Sequence, residues 1–270
     1  MRTKGFLLGG TAGRTTLNGE GLQHQDGHSH LIASTIPNLK AYDPAYAYEI
    51  AVIIQHGLKE MYEENKDIFY YLTLENENYV QPKMPDNIEN GIIKGMYKIK
   101  ESDNSNLKVQ LLGSGPILNE VIAAAKLLKN DWGVESDIWS VTSYSELHKD
   151  AEEVNRWNLL NPEKTNQTSY IDECLINKNG PVIACSDYVK LVAEQISPYV
   201  NCDFTSIGTD GFGRSGTRDE LRDFFEIDKF HIALAAMNSL YKQGKVKVKM
   251  VTELINKYKI DSNKINPLKR

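Results

Sequence analysis

One stretch gathers most of the side chains able to do chemistry: GRTTLNGEGLQHQDGHSH, residues 13–30. It sets Glu20, His24, Asp26, His28 and His30 between glycines, with Arg14 and Asn18 close by. Three of the chain's 6 histidines fall between positions 24 and 30. Histidine titrates near neutrality, so such a cluster can give and take protons at working pH. Glycine reaches backbone conformations that other residues avoid, so a glycine-framed run reads as a loop shaped around something. Three readings fit these residue types. The run is an acid/base loop facing a cofactor, a metal site with His24, Asp26, His28 and His30 as ligands, or a polar surface loop. The glycines weigh against the metal reading, because motifs such as H-E-x-x-H fix their ligands on one helix face.

The elements that must position this loop are legible in outline. Residues 5–30 carry little helical or strand periodicity, and Leu31 to Tyr42 has room for a strand or two around Pro37. A helix follows, with Asp43 as its cap and Pro44 in its first turn. Its buried stripe is Ile50, Ile53, Ile54, Leu58 and Met61, running to about residue 64. The aromatic run DIFYYLTL (67–74) predicts a buried strand, and the polar, proline-bearing stretch 75–90 a linker. A domain boundary is expected near residue 100, in the polar tract 101–106, dividing the chain into domains of residues 1–100 and 101–270.

Beyond it the pattern becomes strand–helix alternation. Strands are predicted over 108–113, 137–143, 181–186 and 204–210, and helices over 117–128, 146–160, 188–196, 218–225, 229–241 and 248–258. Such alternation implies right-handed crossovers and a mainly parallel sheet covered on both faces. The front segment has too few elements to cover its own sheet, so a strand edge and apolar area should stay exposed.

Bulk properties narrow the function classes. With 41% hydrophobic and 25% charged residues, the 270-residue chain is an ordinary core-forming sequence. A net charge of -5 argues against a nucleic-acid partner, and the one dense lysine group (Lys242, Lys245, Lys247, Lys249) reads as a solvated helix face. No apolar run approaches the roughly 18 residues that cross a bilayer, and MRTKGFLLGG is too short a stretch for a secretory signal. Cys174, Cys185 and Cys202 form no C-x-x-C pair, which fits a reducing, cytoplasmic setting. Two glycine turns are weaker candidates. GSGPIL (113–118) sits where a nucleotide loop would, but Pro116 removes an N–H that a phosphate needs. GTDGFGRS (208–215) is first of all a strand-to-helix turn, though Arg214 and Ser215 are suited to an anion or a partner domain.

Several long segments carry a family likeness. GGTAGRTTLNGEGLQHQDGHSH, IPNLKAYDPAYAYE, VQLLGSGPIL, RWN and GTDGFGRS, in that order, closely resemble the homodimeric bacterial-type pyruvate dehydrogenase (acetyl-transferring), of the transketolase superfamily. The resemblance implies an α/β fold. The end of a thiamine-diphosphate-binding (pyrimidine) domain would occupy residues 1 to about 100, followed by a transketolase C-terminal-like domain with a mainly parallel sheet. It casts Glu20 and His24 as the active-centre pair, and His30 as the histidine that closes the transketolase G-E-D-G-x-x-H pattern. It assigns no metal ligand to this chain.

The implied chemistry is attack of the thiamine ylid on pyruvate, loss of carbon dioxide, and transfer of the acetyl group to a lipoyl group of dihydrolipoyl acetyltransferase. Protons must then reach or leave the substrate oxygen and the dithiolane sulfur. A histidine beside a carboxylate can move them. Thiamine diphosphate and magnesium are implied as cofactors, yet the G-D-G and asparagine pattern that holds magnesium is not in this sequence. The expectation is therefore a missing N-terminal portion or companion chain, a homodimer when complete, and little activity alone. The alternative reading is a non-catalytic dimerisation or docking module of a 2-oxo-acid dehydrogenase complex.

Overall fold

The computed structural model describes residues 3–10, 12–103, 105–176 and 178–269. Thr11 of the glycine-dense run and Asn104 of the polar tract lie outside the described residues.

The front of the chain is built on β1 (Phe6–Gly10), α1 (Ser29–Ser34), β2 (Leu39–Tyr42), α2 (Ala47–Leu58) and β3 (Phe69–Leu74). Its three strands are parallel in the order β1-β3-β2. Tyr42, Ile53, Met61, Tyr70, Leu72 and Ile92 close its core. β1 lies in the glycine-dense start, where no strand was expected; pairing along β3 from Phe6 opposite Tyr70 to Gly10 opposite Leu74 overrides glycine's poor strand preference. The first part of the segment expected as strand is the helix α1, and only its end is β2. β1 is an edge strand with Leu7 and Leu8 exposed, which is the uncovered apolar area the sparse front segment implies.

α2 starts later than expected. Its N-cap is Tyr46, and the Glu49 carboxylate accepts from the N–H groups of Ala45 at 2.5 Å and Tyr46 at 3.0 Å. Asp43 is drawn elsewhere, as described below. Leu58 lies outside the buried stripe, because the helix ends in a π turn over Lys59–Glu63 that brings Met61 inward instead.

The second sheet draws on α3 (Glu89–Lys94), β4 (Met96–Lys100), β5 (Lys108–Gly113), α4 (Ile117–Trp132), β6 (Glu135–Val141), α5 (Tyr144–Leu160), α6 (Tyr170–Leu175) and β7 (Val182–Cys185). It is completed by α7 (Leu191–Glu194), β8 (Phe204–Ile207), α8 (Arg218–Phe224), α9 (Lys229–Lys242) and α10 (Val248–Lys257). Strand order is β4-β6-β5-β7-β8, all parallel except β4, which runs antiparallel to β6. Val109 and Leu111 of β5 pack with α4 and α9, whereas Leu112 faces α5 and α7. This two-sided burial is what a parallel sheet under crossover helices requires. β4 joins this sheet although it precedes the polar tract. The helix expected over 188–196 shortens to α7 and a 3-10 turn at Ser197–Tyr199.

The two sheets meet at the carboxyl ends of their strands. Asp43, just past β2, donates its backbone N–H to Thr142 O at 2.8 Å. Its carboxylate accepts from Thr73 Oγ1 at 2.7 Å and from Ser114 Oγ at 2.8 Å. Gly115 has φ +49, and a Cβ there would lie 2.9 Å from both Asp43 carboxylate oxygens. The GSGPIL turn thus encloses the chain's own carboxylate at the spot where a nucleotide loop would hold phosphate.

Candidate active site

The loop 13–30 leaves β1 and is pinned at both ends by the second sheet's domain. At its start, the buried Asp187 carboxylate, just past β7, accepts from Thr15 N and Thr16 N at 2.9 and 3.0 Å. It also accepts from their hydroxyls at 2.6 and 2.8 Å. The buried Arg14 guanidinium donates to Thr209 O and Gly211 O. Further along, Gly19 N donates to Gly216 O at 3.1 Å, Arg214 N to Gln25 Oε1 at 2.7 Å, and Arg218 Nε to Thr16 O at 2.9 Å. GTDGFGRS is therefore a clasp over the histidine loop, a role its sequence does not announce.

Glu20 and His24 come together on the loop's outer face. A 3-10 turn over Gly21–Gln23 brings His24 Nε2 to 3.8 Å from Glu20 Oε2, with both side chains about half exposed, at 56% and 53%. They line an open cavity of about 330 Å³ with Gly9, Gly10, Asp26 and Tyr71. The Asp26 carboxylate accepts from His28 N and Ser29 N, each at 3.0 Å, and so fixes the entry to α1.

His30 does not share that cavity. Its ring is buried between Tyr71 (5.4 Å between centroids) and Tyr188 (4.7 Å), with Nε2 3.0 Å from Thr73 Oγ1. Burial pushes its pKa down to about 4, so it is a neutral packing and hydrogen-bonding group near neutrality. His28 instead places Nδ1 3.4 Å from the Arg14 guanidinium. The three histidines thus have three different surroundings, and the metal reading finds no shared point. Among the described residues, the one group close enough to share an ion is Asp223, Asp228 and His231. There Asp228 caps α9 and Asp223 pairs with Lys264 at 3.1 Å.

Behind the loop lies an acidic junction that sequence reading missed. Burial raises Asp43 to about 7 against the pull of its Thr73 and Ser114 hydrogen bonds. Burial likewise lifts Glu75 well above the carboxylate range, and raises Asp187 despite its hydrogen bonds from Thr15 and Thr16. Glu75 Oε2 is buried without a hydrogen-bond partner. The only signal was position: each acid follows a strand end, which also describes many solvent-exposed loop acids.

Comparisons with known proteins cover both parts of the chain. The sequence profile of the pyruvate dehydrogenase E1 component middle domain matches residues 1–82, and that of the transketolase-like TK C-terminal domain matches residues 95–228. The Pyruvate dehydrogenase E1 component of Pseudomonas aeruginosa is 58% identical over 269 residues, 99% of this chain and 30% of that protein. That of Escherichia coli (strain K12) is 50% identical with the same coverage of this chain and 30% of its own length. Among solved structures, transketolase from Leishmania mexicana superposes with a TM-score of 0.63 at 17% identity, over 87% of this chain and 30% of that one. A split-gene transketolase, described as an inactive β4 tetramer, gives 0.57 at 15% identity, over 87% of this chain and 67% of its own. These structural likenesses establish the transketolase-type α/β fold. The chain spans about 30% of the length of the curated relatives it matches, and along that span it is similar to the C-terminal part of the pyruvate dehydrogenase E1 component.

Proposed function

We propose that this chain supplies the acid/base wall and the C-terminal domain of a thiamine-diphosphate-dependent pyruvate dehydrogenase. The whole enzyme would decarboxylate pyruvate oxidatively and pass the acetyl group to lipoyl groups. The observation that carries the reading is the Glu20–His24 pair, 3.8 Å apart and facing an open cavity. Bound thiamine diphosphate would supply the nucleophilic carbon and the electron sink.

The cavity suits one end of that cofactor. Among the described residues its lining includes Glu20 and Asp26 and no lysine or arginine. Carboxylates favour a cationic thiazolium and oppose a diphosphate, which needs cations around it. Magnesium and diphosphate would then be held by polypeptide outside this chain. His24 would move a proton at the substrate oxygen or the dihydrolipoyl sulfur, while Glu20 orients the imidazole and balances its charge. His30 would act from behind, through the packing of Tyr71. The remaining E1 length, a second copy in a homodimer and dihydrolipoyl acetyltransferase are the proposed partners, in the cytoplasm. No described helix is long and apolar enough to cross a membrane.

The test is pyruvate-dependent reduction by this chain assembled with the rest of the E1 length. His24→Ala should lower the rate about 10²–10⁴-fold, the usual worth of acid/base catalysis, while the assembly still elutes at its normal size. Full activity of that variant would remove His24 from the chemistry. An assembly that forms but stays inactive with wild-type sequence favours the non-catalytic docking module. That reading draws on the two-faced core of the second domain.

A further inference from the structure

We infer that Gln25 is a positioning residue through which the C-terminal domain sets the Glu20–His24 geometry; this rests on the acid/base reading of that pair. The pair's approach depends on one short turn. Gly21–Gln23 is a three-residue 3-10 segment without a side-chain cap, its return bonds being His24 N and Gln25 N to Gly21 O. So short a turn has no stability of its own, because nucleation costs more than one or two hydrogen bonds return. Something else must hold it.

Gln25 is the group placed to do so. Its neighbour His24 faces out, whereas the Gln25 side chain is buried, 7% exposed. Its amide uses both ends. Nε2 donates to Leu17 O at 2.8 Å, closing the loop on itself, and Oε1 accepts from Arg214 N at 2.7 Å, fastening it to the clasp. The fit leaves no slack: a Cβ on Gly213 would sit 2.8 Å from Gln25 Oε1, and one on Gly21 would sit 2.6 Å from Ser215 Oγ. Gly21 also holds φ +73, a conformation that side chains resist. Among the described residues no hydrogen bond or ion pair joins the Gln25 side chain to Glu20 or His24, so its effect on the reaction passes through the chain it holds, the turn that carries His24 and Leu17, which lines the cavity.

The experiment uses the assembled enzyme, three single substitutions and one double variant. Gln25→Met keeps the volume and removes both bonds; it should lower kcat roughly ten- to hundredfold, a part of the 10²–10⁴ of acid/base catalysis, with KM for pyruvate nearly unchanged, while the Leu17 O and Arg214 N–H left unpaired lower the melting temperature by on the order of a few degrees without preventing assembly. Gln25→Glu keeps the oxygen facing Arg214 N–H and loses the donor to Leu17, so it should fall between wild type and Gln25→Met. The decisive variant is His24→Asn with and without Gln25→Met. If Gln25 acts through His24, the double variant is no slower than His24→Asn alone. Multiplicative losses, or a loss of substrate affinity as large as the loss of kcat in Gln25→Met, overturn the inference. A silent Gln25→Met beside a slow His24→Asn overturns the inference alone. A silent His24→Asn overturns the acid/base reading, and the inference with it.

Discussion

Replacing Asp43 by asparagine should make the fold more tolerant of high pH, and the size of the effect follows from where the carboxyl sits. Burial between the two sheets raises Asp43 from an ordinary 3.8 to about 7. Within that window the folded state keeps a proton that the unfolded chain has released. More protons on the folded side means that stability falls as pH rises through the window. The contribution is complete below 3.8 and lost above about 7. At 1.36 kcal/mol per pH unit, the two units from pH 5 to pH 7 are worth about 2.7 kcal/mol. Asparagine has nothing to ionise, and its amide can still accept from one hydroxyl of the Thr73–Ser114 pair and donate to the other. Any constant cost of the substitution cancels when two pH values are compared. Urea unfolding at pH 5 and pH 8 should therefore show the variant gaining about 2.7 kcal/mol on wild type between them. Melting curves should show a gain on the order of 5–10 °C. A difference that does not change with pH would mean that Asp43 is ionised throughout, and the account of the junction would fail.

His30→Gln probes the opposite sign. With its folded value lowered from 6.5 to about 4, His30 binds fewer protons in the fold, so wild type should lose up to about 3.4 kcal/mol as pH falls through that window. The variant's acid-unfolding curve should lack that limb, and an unchanged curve refutes the point. Gly115→Ala, at φ +49 and 2.9 Å from the Asp43 oxygens, should cost about 1–3 kcal/mol by denaturant titration; a silent substitution would show the turn is not closed on Asp43. A protein of residues 95–270 should exceed one of residues 101–270 by roughly 2–4 kcal/mol, because Met96 of β4 packs in the second sheet's core with Leu112, Trp139 and Val141. Equal stabilities would show that β4 contributes little to the second domain.

What was legible in the sequence tracks how local the deciding physics is. The second sheet's strands and its longer helices announce themselves, because KVQLLG and PVIACS are short, mostly apolar runs bounded by turn residues and α4 repeats its apolar residues at helical spacing. Glu20 and His24 stood out by type within the glycine-framed run, but their pairing came from the family resemblance and not from spacing. β1 was not, since FLLGG becomes a strand only against β3, some sixty positions away. Asp43 looked like a helix cap, a sound local reading that lost to tertiary hydrogen bonds with Thr142, Gly115, Thr73 and Ser114. His30 was expected to share the site of Glu20 and His24, and nothing in DGHSH reveals that α1 turns its ring inward against Tyr188. The clasp was invisible for the same reason: Gln25 and Arg214 meet across 189 positions.

These long-range contacts also decide which surface is left for chemistry. In open α/β sheets, ligands settle beyond the carboxyl ends of the parallel strands. Here the carboxyl ends of two sheets face each other, so Asp43, Thr73, Ser114 and Asp187 spend their hydrogen bonds on one another and on the loop. The proposed chemistry would then lie outward, on the loop that follows β1. A loop at that distance from its own sheet cannot be held by neighbouring strands, and the second domain supplies the holding groups at Asp187, Thr209, Arg214 and Gly216. The position of Glu20 and His24 is thus as much a property of residues 187–218 as of the loop that bears them.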